Sequence, residues 1–161
     1  MVAAGFGDNV AVEDERDASL DLAFLHELAV AVIRAEGFPA DTELTVAMVS
    51  DSRISDMNSE YLGKSGPTDV LSFPIHDLEP GAPPEPPTGS PPLTLGDVLI
   101  APAYVFAQAR DLEVGFNGEM ALMVVHGILH LMGYDHEDDA DAEIMESRET
   151  VLLASMGVER R

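Results

Sequence analysis

The sequence contains no cysteine. That excludes disulfides, iron–sulfur clusters, thiolate zinc sites and cysteine nucleophiles together. It is consistent with a reducing compartment. Basic residues are scarce: 8 lysines and arginines stand against 30 aspartates and glutamates, for a formal charge of −22 at pH 7. A chain this acidic is soluble and self-repelling. It has no broad basic surface to hold nucleic acid, so any RNA contact must be local, metal-assisted or partner-assisted. Long apolar runs are missing too. The longest nearly apolar stretch, Met120 to Met132, falls short of the ~20 residues that span a bilayer and carries two histidines. The opening MVAAGFGDNV has neither the basic n-region nor the apolar h-region of a signal peptide. The expectation is a soluble cytoplasmic protein with no membrane and no DNA partner.

What is present is enough for a core. The chain has 161 residues, 46% of them apolar, which fits one globular domain over residues 1–161. Residues 1–18 are polar and acidic, with at most a short strand around Val10 to Val12. Leu22, Leu25, Ala29, Val32 and Ile33 then follow a helical rhythm. Ser19 is the expected cap, with Asp21 supporting the first turn, and Gly37 and Pro39 close the helix. Glu43 to Val49 reads as a strand, Asp51 or Ser52 opens a short helix to about Tyr61, and Asp69 to Phe73 reads as a strand. Seven of the 11 prolines lie between Pro80 and Pro92, so about 78–94 is a loop or a disordered insert. Leu95 to Ala101 is another strand, followed by a helix from Pro102 to about Leu112. Phe116 to Met132 is apolar nearly all round, as a buried central helix is. A last helix runs from Asp138 to about Ser155. The irregular order of about four strands and five helices predicts an α+β domain.

The chemistry sits at the end of that helix, in HGILHLMGYDH. His126 and His130 are four apart, so both imidazoles leave one helix face. Gly133 suits a left-handed turn that brings His136 back towards them. A lone histidine on an apolar helix is ordinarily a hydrogen-bonded core residue. Three within eleven residues, out of five in the chain, instead make a three-histidine zinc site with an open fourth position. The expected cofactor is one Zn²⁺ per chain, lowering the pKa of bound water and acting as a Lewis acid. Asp135 has two readings, an imidazole-orienting partner or a cap for the turn. The spacing also matches the long zinc-protease signature, but the general-base glutamate of that signature is replaced here by Gly127.

HGILHLMGYDH, taken with GPTDVLSFP and LGDVLIA, resembles the bacterial YbeY family of ribosomal-RNA maturation endoribonucleases. The resemblance runs in order from about Leu44 to Gly157. It implies a small mixed sheet with the central helix packed inside. It implies a zinc-dependent, single-strand-specific endoribonuclease of 16S rRNA 3′-end maturation and ribosome quality control. Its implied partners are single-stranded RNA and the small ribosomal subunit with its basic proteins. It implies His126, His130 and His136 as metal ligands, with Thr68, Asp69, Ser72 and Phe73 building the substrate cleft. One position departs: many members have arginine after the tyrosine, where this chain has Leu62. Lys64, the only lysine, is the candidate catalytic cation in its place, although a lysine is a point charge and not a bidentate fork. The nucleophile is either a metal-activated water or a ribose 2′-OH. A ribosome-assembly binding factor with a non-catalytic zinc is the alternative; a zinc peptidase or other hydrolase is a third. His76, His26, Arg53, Arg110 and Arg148 are read as surface or structural residues, and the seven carboxylates from Glu137 to Glu149 as a solvated helix face.

Overall fold

The computed structural model describes residues 5–15 and 20–161. In chain order these form β1 (Val10–Asp14), α1 (Leu22–Ala35), β2 (Glu43–Met48), α2 (Asp51–Leu62), β3 (Val70–Pro74), β4 (Thr94–Ile100), α3 (Pro102–Asp111), α4 (Phe116–Leu131) and α5 (Asp139–Ser155). The strands make one four-stranded sheet in the order β1-β2-β4-β3. The first three are parallel and β3 runs antiparallel to β4. This is the α+β class that the element order predicts, with the mixed sheet that the family resemblance implies.

Local chemistry sets the element ends. Ser19 lies outside the described residues; the cap of α1 is Asp21, whose carboxylate accepts from Phe24 N. Ser50 caps α2 by accepting from Arg53 N, and Gly63 ends that helix in the left-handed conformation. Pro102 sits in the first turn of α3, where its missing N–H costs nothing. β1 extends past Val12 to Asp14 because Glu13 and Asp14 pair with Ala47 and Met48; backbone pairing carries two acidic residues into a strand that their side chains do not favour. Residues 75–93, which hold the proline run, contain no helix or strand.

The core lies between one sheet face and α4. Met120 through Val125, Ile128, Leu129 and Leu131 are all buried, packed among α1, α5, β2 and β4. Gly127 is what lets α4 come so close. A Cβ there would stand 2.4 Å from Val98 Cγ1 in the middle of β4, far inside carbon–carbon contact distance. Ser72 Oγ donates to Gly127 O at 2.9 Å and pins β3 to the same turn of the helix. A smaller cluster on the opposite sheet face joins Ala47, Val49, Ile54, Leu71, Leu99 and Ala101.

Candidate metal centre

The last turn of α4 delivers the three histidines. Tyr134 N donates to Leu129 O and Gly133 N to His130 O, the paired bonds of a Schellman closure with Gly133 in the left-handed region at φ 100°. A Cβ on Gly133 would strike Leu78 O at 2.1 Å, so the reversal also needs glycine for space. The chain turns back and His136 joins His126 and His130. Their ring centroids lie 4.6, 5.0 and 5.4 Å apart, with one ligand nitrogen from each ring within 4.8 Å of the others.

The hydrogen bonds behind the rings fix which nitrogen is free. His126 Nδ1 lies 2.6 Å from Glu149 Oε2, and His130 Nδ1 lies 2.9 Å from Tyr134 O. A carboxylate and a carbonyl only accept, so in each neutral ring Nδ1 carries the proton and Nε2 holds a lone pair. The two Nε2 atoms face each other at 3.1 Å. Two lone pairs at that distance repel unless a proton or a metal ion lies between them. Tetrahedral zinc with Zn–N bonds of ~2.0–2.1 Å sets its ligands ~3.3 Å apart. The donor set therefore fits a zinc ion, with both inner imidazoles oriented from behind as metal-binding histidines are.

Electrostatics keep the rings ready. Burial, reinforced by the neighbouring His126 and His136, pushes the pKa of His130 down to about 4, so the ring is neutral at pH 7 and able to ligate. Glu149 is 1% exposed. Burial pushes its carboxyl up, but the bonds from His126 and Arg160 outweigh it, and the net shift is downwards, towards the charged form. Arg160 Nε completes the chain, donating to Glu149 Oε1 at 3.0 Å.

The histidines open into a cleft of about 710 Å³. Lys64, Thr68, Asp69 and Ser72 line it, and so does Leu62. Phe73 does not. Side chains alternate along a strand, and Phe73 falls on the opposite sheet face, edge-on to Tyr61 with ring centroids 5.6 Å apart. Asp69 is engaged by three donors: Val70 N at 2.8 Å, Thr68 Oγ1 at 3.2 Å and Gln108 Nε2 at 3.3 Å. It shapes the turn into β3. Asp135 takes the capping role, accepting from His136 N at 2.7 Å. His76 lines the cleft, because the chain after β3 bends back towards the turn at Gly133, where Leu78 O lies against the glycine. His26 is structural, with Nε2 3.2 Å from both Gly7 O and Val10 O. Arg148 pairs with Glu36 and Arg110 with Asp111, and Arg53 lines a separate groove together with Phe73 and Asp97; none of the three lines the histidine cleft.

Two residues go beyond the sequence reading. Asn58, buried, donates from Nδ2 to Gly66 O at 3.0 Å and holds the glycine turn beside the cleft. Glu149 stands in the run read as a solvated face, yet it shares its buried stripe with Met145, Leu152 and Leu153. That spacing is the helix-face signal, and it marks Glu149 as a core-facing carboxylate needing a partner.

A family model described as endoribonuclease YbeY matches residues 10–157. The chain is similar to an endoribonuclease YbeY of Azorhizobium caulinodans, at 39% identity over 94% of this chain and 92% of that protein. It is similar to another of Alteromonas mediterranea, at 40% identity over 92% and 90% of the two chains. A solution structure of a Thermotoga maritima protein superposes with a TM-score of 0.64 at 27% identity, covering 91% of this chain and 88% of that one. Among the described residues, no helix is long and apolar enough to cross a membrane.

Proposed function

This chain belongs to the endoribonuclease YbeY family, and from that premise we propose that it is a zinc-dependent endoribonuclease specific for single-stranded RNA. Its setting in this reading is the cytoplasm, its substrate the 3′ end of 16S rRNA and its partner the small ribosomal subunit, in rRNA maturation and ribosome quality control. The observation that carries the metal-dependent part is the pair of lone-pair-bearing Nε2 atoms facing each other at 3.1 Å, with His136 beside them.

His126, His130 and His136 would hold the ion. When bound, it supplies Lewis-acid stabilisation for phosphoryl oxygens and a lowered pKa for water. The remaining work belongs to side chains of the cleft. Glu149 holds the Nδ1 proton of His126, and the Tyr134 carbonyl holds that of His130. Lys64 stands on the cleft wall as a positive charge for a phosphate, next to Leu62 in the position of the family's arginine. Thr68 and Asp69 shape the wall that the substrate meets.

The peptidase reading fails on space as well as chemistry. Position 127 faces Val98, and no glutamate fits between helix and sheet there. The binding-factor reading draws on Leu62 and on the carboxylates of the cleft. Cleavage of a single-stranded RNA carrying the 16S rRNA 3′ end separates the two. The enzyme reading expects zinc-dependent cleavage; a folded, zinc-loaded protein that binds the small subunit and cleaves nothing supports the binding factor.

A further inference from the structure

The cleft runs along the open edge of the sheet. β3 is the last strand, and its ladder to β4 pairs Val70 with Ile100 through Pro74 with Gly96. Ala101 N donates to Asp69 O, and Ile75 N donates to Leu95 O. Antiparallel pairs alternate between bonded and non-bonded, so the odd-numbered residues of this stretch turn their backbone groups towards β4. The even-numbered ones turn theirs away. Val70 C=O, Ser72 N–H, Ser72 C=O and Pro74 C=O therefore form a free edge, and all three residues line the three-histidine cleft.

The cleft is poor in cations. Besides the three clustered histidines, its lining offers Lys64 and His76 as groups able to carry positive charge, against Asp69, Asp77, Asp135 and Glu137. A polyanion is not held there by a train of phosphate contacts. Neutral hydrogen-bonding groups are what the wall provides, and an open strand edge presents both donors and acceptors.

Spacing then selects the ligand. Edge groups recur every two residues, about 6.7 Å. Stacked bases recur every ~3.4 Å, so a stacked strand would bring only alternate bases to the edge groups and leave every second base unread. A strand with its bases unstacked and its backbone stretched matches the repeat and presents its pairing edges.

We infer that the open edge of β3, centred on Ser72, reads the pairing edges of unstacked bases in the RNA strand that crosses the histidine cluster. This rests on the endoribonuclease reading above and gives a physical basis for single-strand selectivity, because paired bases have no free edge to offer.

The test uses the zinc-loaded full chain and two short oligouridylates, one plain and one methylated at the ring nitrogen of the pairing edge. Binding is followed by fluorescence anisotropy and cleavage by gel. The methylated RNA is expected to bind about tenfold more weakly, the loss of one or two hydrogen bonds. The salt slope of log K is expected to be shallower than about −1.5, since single strands give about −0.7 per phosphate neutralised. Ser72→Pro removes the outward N–H, which faces a base carbonyl, without touching the β4 ladder. It is expected to weaken both RNAs several-fold, while the carbonyls that accept from the ring N–H keep the discrimination. Ser72→Ala leaves the backbone edge intact and is expected to bind as the unaltered protein does. Equal binding of the two RNAs by the unaltered protein, or a slope steeper than about −3, overturns the inference. So does displacement of the oligouridylate by an extended valine–threonine peptide at lower concentration than by unlabelled RNA. Discrimination in binding without cleavage leaves the inference standing and removes the endoribonuclease reading instead.

Discussion

Gly127→Ala sets two effects of opposite sign against each other. Alanine is the better helix former by about 1 kcal/mol in a helix interior. Position 127 lies well inside α4 (Phe116–Leu131), so propensity alone favours the variant. Packing opposes it. The new Cβ would lie 2.4 Å from Val98 Cγ1, against an ordinary separation of ~3.5–4.0 Å, so a gap of more than ~1 Å must open there. Val98 is fully buried and stiff at χ1, and the Ser72 bond to Gly127 O holds the same turn to the sheet. Overpacking of this kind costs ~1–3 kcal/mol. A clash this deep takes the upper half of that range, so after the propensity gain the expected net effect is a destabilisation of about 1–2 kcal/mol, or a Tm lower by ~2–8 °C for a domain of this size. Urea unfolding of the zinc-free protein measures it, which keeps metal binding out of the comparison. The Val98→Ala partner completes a double-mutant cycle, in which the two changes are expected to offset each other by about 1 kcal/mol or more. A Gly127→Ala protein more stable than its parent, or strict additivity with Val98→Ala, would refute the claim that helix and sheet leave no room for a side chain.

Three further outcomes follow from the geometry. Glu149→Ala is expected to weaken zinc affinity ~10–100-fold, with Glu149→Gln recovering part of it, because the residue orients His126 from behind; competition titration with a chromophoric chelator measures this, and unchanged affinity in a folded Glu149→Ala protein rules the role out. Gly133→Ala should disturb the cleft more than the core, since its Cβ meets Leu78 O at 2.1 Å and must displace either the histidine turn or the segment after β3; loss of zinc affinity with little loss of helical circular dichroism is the expected signature. Zinc-free protein should lose stability steadily as pH falls from ~6.5 to about 4. In that window the unfolded chain binds a proton at His130 that the folded chain, with its pKa lowered to about 4, does not. Glu149, also lowered, extends the loss below its unfolded value of ~4.3. Stability rising on acidification across that range would contradict both shifts.

The parts of the site carried by neighbouring residues are legible in the sequence alone. The i, i+4 spacing of His126 and His130, the turn at Gly133 and the return of His136 are all short-range consequences of helix geometry. The individual strands and the buried α4 are readable from periodicity and apolar runs, whereas the mixed direction of the sheet is legible only through the family resemblance. What is not legible depends on contacts between distant segments. Its motif groups Phe73 with the cleft, and only the alternation of β3 against β4 sends it to the other face. His76 joins the cleft because the chain after β3 folds back, which no local pattern encodes. Glu149 is hidden by its acidic neighbours. Its phase with Met145 and Leu152 is present in the sequence, but its partner, His126, lies 23 residues earlier on another helix.

The central claim is that the three histidines hold a catalytic zinc. Its most direct test is cleavage of a single-stranded RNA carrying the 16S rRNA 3′ end, comparing unaltered protein with His130→Ala, each with and without chelator, and with folding checked in parallel because metal loss can unfold small domains. The zinc-loaded parent is expected to cleave, to lose cleavage on chelation and to recover it when zinc is returned, while a His130→Ala protein that remains folded cleaves nothing. Undiminished cleavage by folded His130→Ala, or by parent stripped of metal, would contradict the claim.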